Sequence, residues 1–99
     1  MFKHIVMWRI KAAEGSTQAE TTSLFKQKLE ALRGCVPGLL RLDAGINALP
    51  GNDVSDIVLY SEFTDKAAYE AYAKHPMHVD VVEFAKTVRT ERRSVDYAD

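Results

Sequence analysis

The chain has 99 residues, 46% of them hydrophobic and 27% charged, and its 14 acidic and 13 basic side chains leave a formal net charge of -1. A chain this short lies at the lower end of the size range for one hydrophobic core. We therefore expect a single domain over residues 1–99 and exclude a division into two domains. The balanced charge argues against a nucleic-acid partner, because such proteins normally carry an excess of basic residues.

The cysteine count and the N-terminal sequence restrict the class of protein further. A lone cysteine, Cys35, excludes an intrachain disulfide. The apolar run at the N terminus is interrupted by Lys3 and Arg9 and is much shorter than the about 20 residues of a membrane span. We therefore expect a cytoplasmic protein without a membrane partner.

The first element is a strand over residues 2–11. Its alternation places Ile5 and Met7 on one face and five further residues on the other, namely Phe2, His4, Val6, Trp8 and Ile10. Both faces are partly apolar, which is typical of a sheet covered on two sides. A chain of this length can hardly cover both faces of the sheet with its own helices. We therefore expect a second copy of the chain to cover one of the two faces.

A helix follows the first strand. Thr17 and Glu20 have the spacing of a capping box and predict its start, and Gly34 suits its end. The apolar residues between them are predicted to form one buried stripe, which consists of Leu24, Phe25, Leu29 and Leu32.

Two strands come next. The turn Val36-Pro37-Gly38 leads into a strand over 39–47, and a loop rich in proline, glycine and aspartate separates it from a third strand over 56–63. Alternation in the third strand places Val58 and Tyr60 on the face opposite Ile57, Leu59 and Phe63.

Two helical segments and a strand complete the chain. Asp65 caps a short helix that ends before His75-Pro76, Pro76 begins another that runs to Phe84 or Lys86, and residues 87–97 form the last strand. The order predicts a ferredoxin-like βαββαβ fold of the α+β class, with a four-stranded antiparallel sheet and its helices on one face. The other face, with Ile5, Met7, Val58 and Tyr60, is too apolar to remain exposed.

The three histidines are the first candidates for chemistry, because imidazole exchanges protons near neutral pH. His78 lies in the first turn of the helix that Pro76 begins, where the helix dipole favours the neutral, basic ring. If His4 lies on the helix-facing side of its strand, it approaches His78 across a cavity. The alternative for His4, His75 and His78 is a structural role as a helix cap or a buried hydrogen-bonding group.

Other side chains allow two interpretations each. Tyr72 either donates a hydrogen bond to a substrate oxygen or packs with its hydroxyl at the surface. Arg89, Arg92 and Arg93 either attract an anion or form exposed pairs on a strand. A metal is the weaker interpretation of His75 and His78, because no third ligand and no HExxH pattern accompanies them.

Several short motifs together resemble the stress-responsive α/β-barrel (Dabb) family. They are residues 3–8 (KHIVMW), the turn Val36-Pro37-Gly38, the junction His75-Pro76-Met77-His78 with Val79 and Val82, and the ending Val95-Asp96-Tyr97. The resemblance covers almost the whole chain and implies a monomer that pairs sheet to sheet with a second copy into a dimeric α+β barrel.

One member of that family, a plant polyketide cyclase that forms olivetolic acid, uses residues that match His4, His78 and Tyr72. The resemblance implies that His78 acts as a base in an aldol cyclisation and that Tyr72 holds the substrate. The hydrophobic cavity positions of that enzyme correspond here to Lys28, Arg89, Arg92 and Ser94, which would accommodate a long alkyl tail poorly.

The predicted ligand-binding residues are Val6, Trp8, Leu24, Phe25, Lys28, Leu59, Phe84 and Arg89.

These observations leave three functions open. The first is a homodimeric protein without established chemistry that binds a small molecule between sheet and helices. The second is a cofactor-free cyclase, lyase or isomerase with His78 as base, His4 as its partner and Tyr72 as donor. The third and weaker is a dimeric-barrel monooxygenase acting on haem or a quinol. No GxGxxG signature is present, so no cofactor is predicted.

Overall fold

The computed structural model describes residues 1–99 and contains four strands and three helices. Their bounds are β1 (Phe2–Ile10), α1 (Gln18–Glu30), β2 (Leu39–Ile46), β3 (Ile57–Phe63), α2 (Lys66–Lys74), α3 (Pro76–Val88) and β4 (Arg89–Ala98). The strands form one antiparallel sheet in the order β2-β3-β1-β4. The predicted ferredoxin-like α+β fold is confirmed. None of the three helices has the length and apolar character that crossing a membrane requires.

The capping box predicted for α1 is present. The Thr17 hydroxyl accepts from the Glu20 backbone N–H at 3.1 Å, and the Glu20 carboxylate accepts from the Thr17 backbone N–H at 2.8 Å. The helix ends earlier than expected, at Glu30 rather than near Gly34, and turns fill the interval before β2. Leu32 belongs to these turns and is nevertheless buried. Gly34 therefore lies in a turn with positive φ and does not end the helix itself.

The prediction that Leu24 faces the core is wrong, because its side chain is 44% exposed. The buried face of α1 contains Thr21, Thr22, Phe25 and Leu29 instead. Both threonine hydroxyls donate to backbone carbonyls one turn earlier at 2.9 Å, so these residues can be buried without an unsatisfied polar group. Compared with the prediction, the buried stripe is rotated about the axis of α1, so that Leu24 lies outside it.

The junction between α2 and α3 lies at His75, as predicted. Its backbone is extended (φ -64°, ψ 133°), and its Nδ1 accepts the Met77 backbone N–H at 3.2 Å. Pro76 is the first residue of α3, where its missing N–H needs no partner. α3 continues to Val88, beyond the predicted end, because Ala85 and Val88 still face the core. The sharp junction places His78 beside the last turn of α2.

The two faces of the sheet differ in what covers them. The helices cover the face that contains His4, Val6 and Trp8, all buried. On the other face, Ile5 pairs with Tyr60 and Val95, and Met7 pairs with Val58 and Arg93. This open face exposes large apolar side chains, among them Met7, Val95 and Tyr97. Its predicted apolar character is confirmed.

Candidate functional site

A cavity of about 190 Å³ lies between β1 and the helices. Most of its wall is apolar, and that part is formed by Val6, Trp8, Phe25, Leu29, Leu59, Val81, Val82 and Ala85. The polar side chains that also line it are His4, Tyr69, Tyr72, His78, Arg89 and Arg92. A few polar groups in an apolar pocket are typical of a small-molecule site.

His4 is held in the sheet by two contacts. Its side chain is only 4% exposed, and its Nδ1 is hydrogen bonded to the carboxylate of Asp96, its pairing partner on β4. Its backbone carbonyl accepts the Ser61 hydroxyl at 2.8 Å. Burial lowers the pKa of His4, while the hydrogen bond and the charge of Asp96 oppose this effect. His4 is therefore neutral at pH 7, with its proton on Nδ1.

His78 is half-buried in the first turn of α3, and its Nδ1 lies 3.2 Å from the carbonyl oxygen of Ala73. Because a carbonyl only accepts, Nδ1 carries the proton and Nε2 keeps its lone pair. Burial is the largest cause that lowers the pKa of His78, and the bond to Ala73 opposes it. Burial of the ring therefore gives the neutral, basic form that the helix dipole predicts for this position.

Tyr72 lies next to both histidines. Its ring centroid is 4.2 Å from that of His78 and 6.3 Å from that of His4. The residue is fully buried, and its hydroxyl is the one buried side-chain oxygen or nitrogen without a hydrogen-bond partner. Burial raises the pKa of Tyr72, so the hydroxyl stays protonated. A buried, unpartnered donor destabilises the fold unless another molecule accepts its hydrogen bond.

The structure brings most of the predicted site residues together. Those that line the cavity are His4, Val6, Trp8, Phe25, Leu59, Tyr72, His78 and Arg89. The remaining three do not line it. Leu24 borders a groove on the outer side of α1, Lys28 places its Nζ 5.0 Å from the centre of the Phe84 ring, and Phe84 packs against Phe25 outside the cavity. The rotation of α1 explains the outward position of Leu24.

Two important residues were not predicted. Tyr69 lies one turn before Tyr72, and its ring centroid is 4.8 Å from that of His4. This spacing of three residues on one helix was a signal that could have identified it. Asp96 lies in the Val95-Asp96-Tyr97 motif of the family resemblance, but the mostly polar β4 has too little apolar alternation to define its register with β1, so its pairing with His4 was not predicted. No group of three or more potential metal ligands converges in the chain.

Comparisons with known proteins agree with this architecture. The sequence model of the Stress responsive A/B Barrel Domain (Dabb) matches residues 2–99. No curated protein matches the chain in sequence at a significant level. A dimeric protein of unknown function with a ferredoxin-like fold from Bacteroides fragilis NCTC 9343 is 30% identical, with a TM-score of 0.83, and the match covers 99% of this chain and 95% of that one.

Two more distant structures share the fold alone. The hydroxynitrile lyase from Passiflora edulis is 17% identical with a TM-score of 0.78, and the match covers 97% of this chain and 90% of that one. A putative antibiotic biosynthesis monooxygenase from Nitrosomonas europaea is 22% identical with a TM-score of 0.73, over 100% and 98% of the two chains. Since the Dabb model spans nearly every residue, this chain belongs to the family of stress-responsive A/B barrel domains.

Proposed function

We propose that the chain forms a homodimer in which each copy binds a small, mostly apolar molecule with a carbonyl or hydroxyl oxygen. The observation that carries this proposal is the Tyr72 hydroxyl, which is buried, protonated and without a partner beside the cavity. A ligand oxygen would accept its hydrogen bond and remove the cost of leaving it unpaired. The apolar wall would hold the rest of the molecule.

The cavity limits the size of the ligand. Its volume of about 190 Å³ is smaller than the roughly 300–1,000 Å³ typical of sites for drug-sized molecules. A compound with a single ring or a short branched chain suits this space. A long alkyl tail does not, which agrees with the charged side chains of Arg89 and Arg92 in the lining of the cavity.

The homodimer is supported by the open face of the sheet. Large exposed apolar patches on small proteins usually mark an interface, and this one lies across the paired strands β3, β1 and β4. The relative from Bacteroides fragilis, 30% identical, is described as dimeric. A second copy packed on this face would leave the cavity untouched, because the cavity lies on the helix-covered side of the sheet.

The second candidate function is cofactor-free proton transfer in the same cavity, and the free Nε2 of a neutral His78 favours it. In this reaction Nε2 takes a proton from the carbon next to a bound carbonyl. The electron pair of the broken C–H bond moves onto the carbonyl oxygen, and the Tyr72 hydroxyl donates a hydrogen bond to the enolate. Such a step begins lyase, isomerase and cyclisation reactions alike.

A ligand screen tests the binding proposal. We would measure binding of a panel of small ketones, aldehydes and phenols by NMR to the wild type, to Tyr72→Phe and to Tyr97→Phe. Tyr97 is the matched control, because it lies on the open face of the sheet and does not line the cavity. We expect binding that Tyr72→Phe weakens and Tyr97→Phe retains. Equal binding by the wild type and Tyr72→Phe would contradict the proposal.

Hydrogen exchange separates catalysis from binding. For a ketone that binds, we would follow exchange of its α-hydrogens with D₂O in the presence of the wild type and of His78→Gln. Catalysis predicts exchange that His78→Gln abolishes while binding remains. Absence of enzyme-dependent exchange would reject the catalytic candidate and leave the binding proposal in place.

A further inference from the structure

We propose that the ligand carries a carboxylate and that Arg89 and Arg92 bind it at the mouth of the cavity. This inference rests on the proposed function, since it assigns the chemical class of the molecule that occupies the same cavity. It concerns two side chains that line the cavity.

The two arginines lie between two different environments. Both line the apolar cavity, and both also line a polar pocket of about 380 Å³ whose other residues are Thr90 and Glu91. In the register of β1 with β4, Arg89 pairs with Ile10 and Arg92 with Trp8. A ligand with its apolar part in the cavity would therefore meet both guanidinium groups where it reaches the surface.

Neither arginine has an anionic partner within the chain. The other four arginines each lie within 4.0 Å of a carboxylate, and these are Arg9, Arg33, Arg41 and Arg93. Arg92 makes only a contact from Nη1 to the Ser94 hydroxyl at 3.3 Å.

The nearest acidic side chains on β4 are already engaged. Glu91 pairs with Arg9 and Arg93 on the open face, at 3.5 Å and 3.2 Å. Asp96 is hydrogen bonded to His4. Two positive charges without partners thus remain at the mouth of the cavity.

A carboxylate fits these charges better than a neutral group does. The guanidinium fork can donate two parallel hydrogen bonds to the two carboxylate oxygens. The charge of Arg92 also reaches the interior, because it lowers the pKa of both His4 and His78. A bound anion would offset this charge, so binding of an acid should raise the pKa of both histidines.

Matched acid and amide pairs test the inference. We would measure binding of phenylacetate and phenylacetamide, and of 4-oxopentanoate and its amide, to the wild type and to Arg89→Gln, Arg92→Gln and Arg93→Gln. We expect the wild type to bind each acid about tenfold more tightly than its amide, as for one charge-assisted hydrogen bond. Arg89→Gln and Arg92→Gln should reduce this preference. Arg93→Gln should keep it, because Arg93 lies on the open face and is paired with Glu91.

The outcomes separate this inference from the proposed function. If the wild type binds acids no more tightly than amides, or if the preference survives in both Arg89→Gln and Arg92→Gln, the carboxylate inference is overturned. Amide binding that still depends on Tyr72 would then leave the proposed function intact. If neither acids nor amides bind, both proposals fail. The NMR titration of His78 supplies a second readout, because its pKa should rise with the acid and not with the amide.

Discussion

His4 and Asp96 face each other on the neighbouring strands β1 and β4, and the imidazole Nδ1 is hydrogen bonded to the carboxylate. The carboxylate only accepts at neutral pH, so Nδ1 carries the proton and Nε2 is left basic. His78 reaches the same state by donating from Nδ1 to the Ala73 carbonyl. The two imidazoles that line the cavity therefore share one tautomer, although different elements impose it on them.

Asp96→Asn should lower the pKa of His4 further below its usual value. The hydrogen bond and the negative charge of Asp96 both favour the protonated imidazole, and the substitution removes the charge while burial remains. NMR titration of the His4 ring measures this change. Asp80→Asn, on the exposed side of α3, is the control. An unchanged or raised pKa in Asp96→Asn would show that the pair does not set the protonation of His4.

The stability of the protein should fall as the pH decreases from about 7 to about 5. Burial lowers the pKa of His4 and His78 in the folded state, so the unfolded chain takes up protons at a higher pH, near 6.5, than the folded chain does. The contribution of the two neutral rings to the free energy of unfolding is complete above the pKa of the unfolded chain. It is lost as the pH falls below that pKa.

Urea unfolding at several pH values would reveal the loss of stability. His78→Gln should flatten the dependence in this window, since it removes one of the two groups. His75→Gln is the matched control, because that ring caps α3 outside the cavity. An identical pH dependence of stability in the wild type and His78→Gln would show that protonation of His78 does not cause the loss of stability.

Tyr72→Phe should raise the free energy of unfolding by about 1 kcal/mol, because it removes a buried hydroxyl that has no partner in the ligand-free protein. The same substitution should weaken ligand binding, because it removes the hydrogen-bond donor for the ligand oxygen. Tyr60→Phe is the comparison, since the Tyr60 hydroxyl donates to Glu62 at 2.5 Å and its loss should not stabilise the fold. Thermal unfolding of both variants decides the matter. A destabilised Tyr72→Phe would indicate that the hydroxyl is satisfied in the free protein.

Met7→Glu should convert the dimer into a monomer. Met7 is 43% exposed in one copy and lies at the centre of the open face, where a second copy would bury the new charge without a partner. Light scattering at micromolar concentration measures the mass. Leu24→Glu is a closely matched control, because Leu24 is 44% exposed but lies in the helical layer. A monomeric wild type, or a dimeric Met7→Glu, would overturn the assignment of this face.

The order of the helices and strands could be predicted from local sequence patterns. The Thr17 capping box, the proline at the start of α3 and the alternation in β1 each depend on neighbouring residues, so the sequence predicts them without knowledge of the rest of the fold. The apolar open face follows from the same alternation. The structure places His4, Tyr72 and His78 around one cavity. The strand face of His4 and the helix start at Pro76 indicated an approach of the two histidines, whereas Tyr72 was assigned to the site by the family resemblance and not by its position on the helix.

The sequence by itself thus determined the α+β architecture, the apolar character of both faces of β1 and the common face of His4, Val6 and Trp8. The tertiary structure alone decided the rotation of α1 that exposes Leu24 and the register that joins Asp96 to His4. It also decided that Arg89 and Arg92 would remain without partners. The physical reason is that helix rotation, strand register and the pairing of charges depend on contacts between residues far apart in the chain, which local periodicity does not encode.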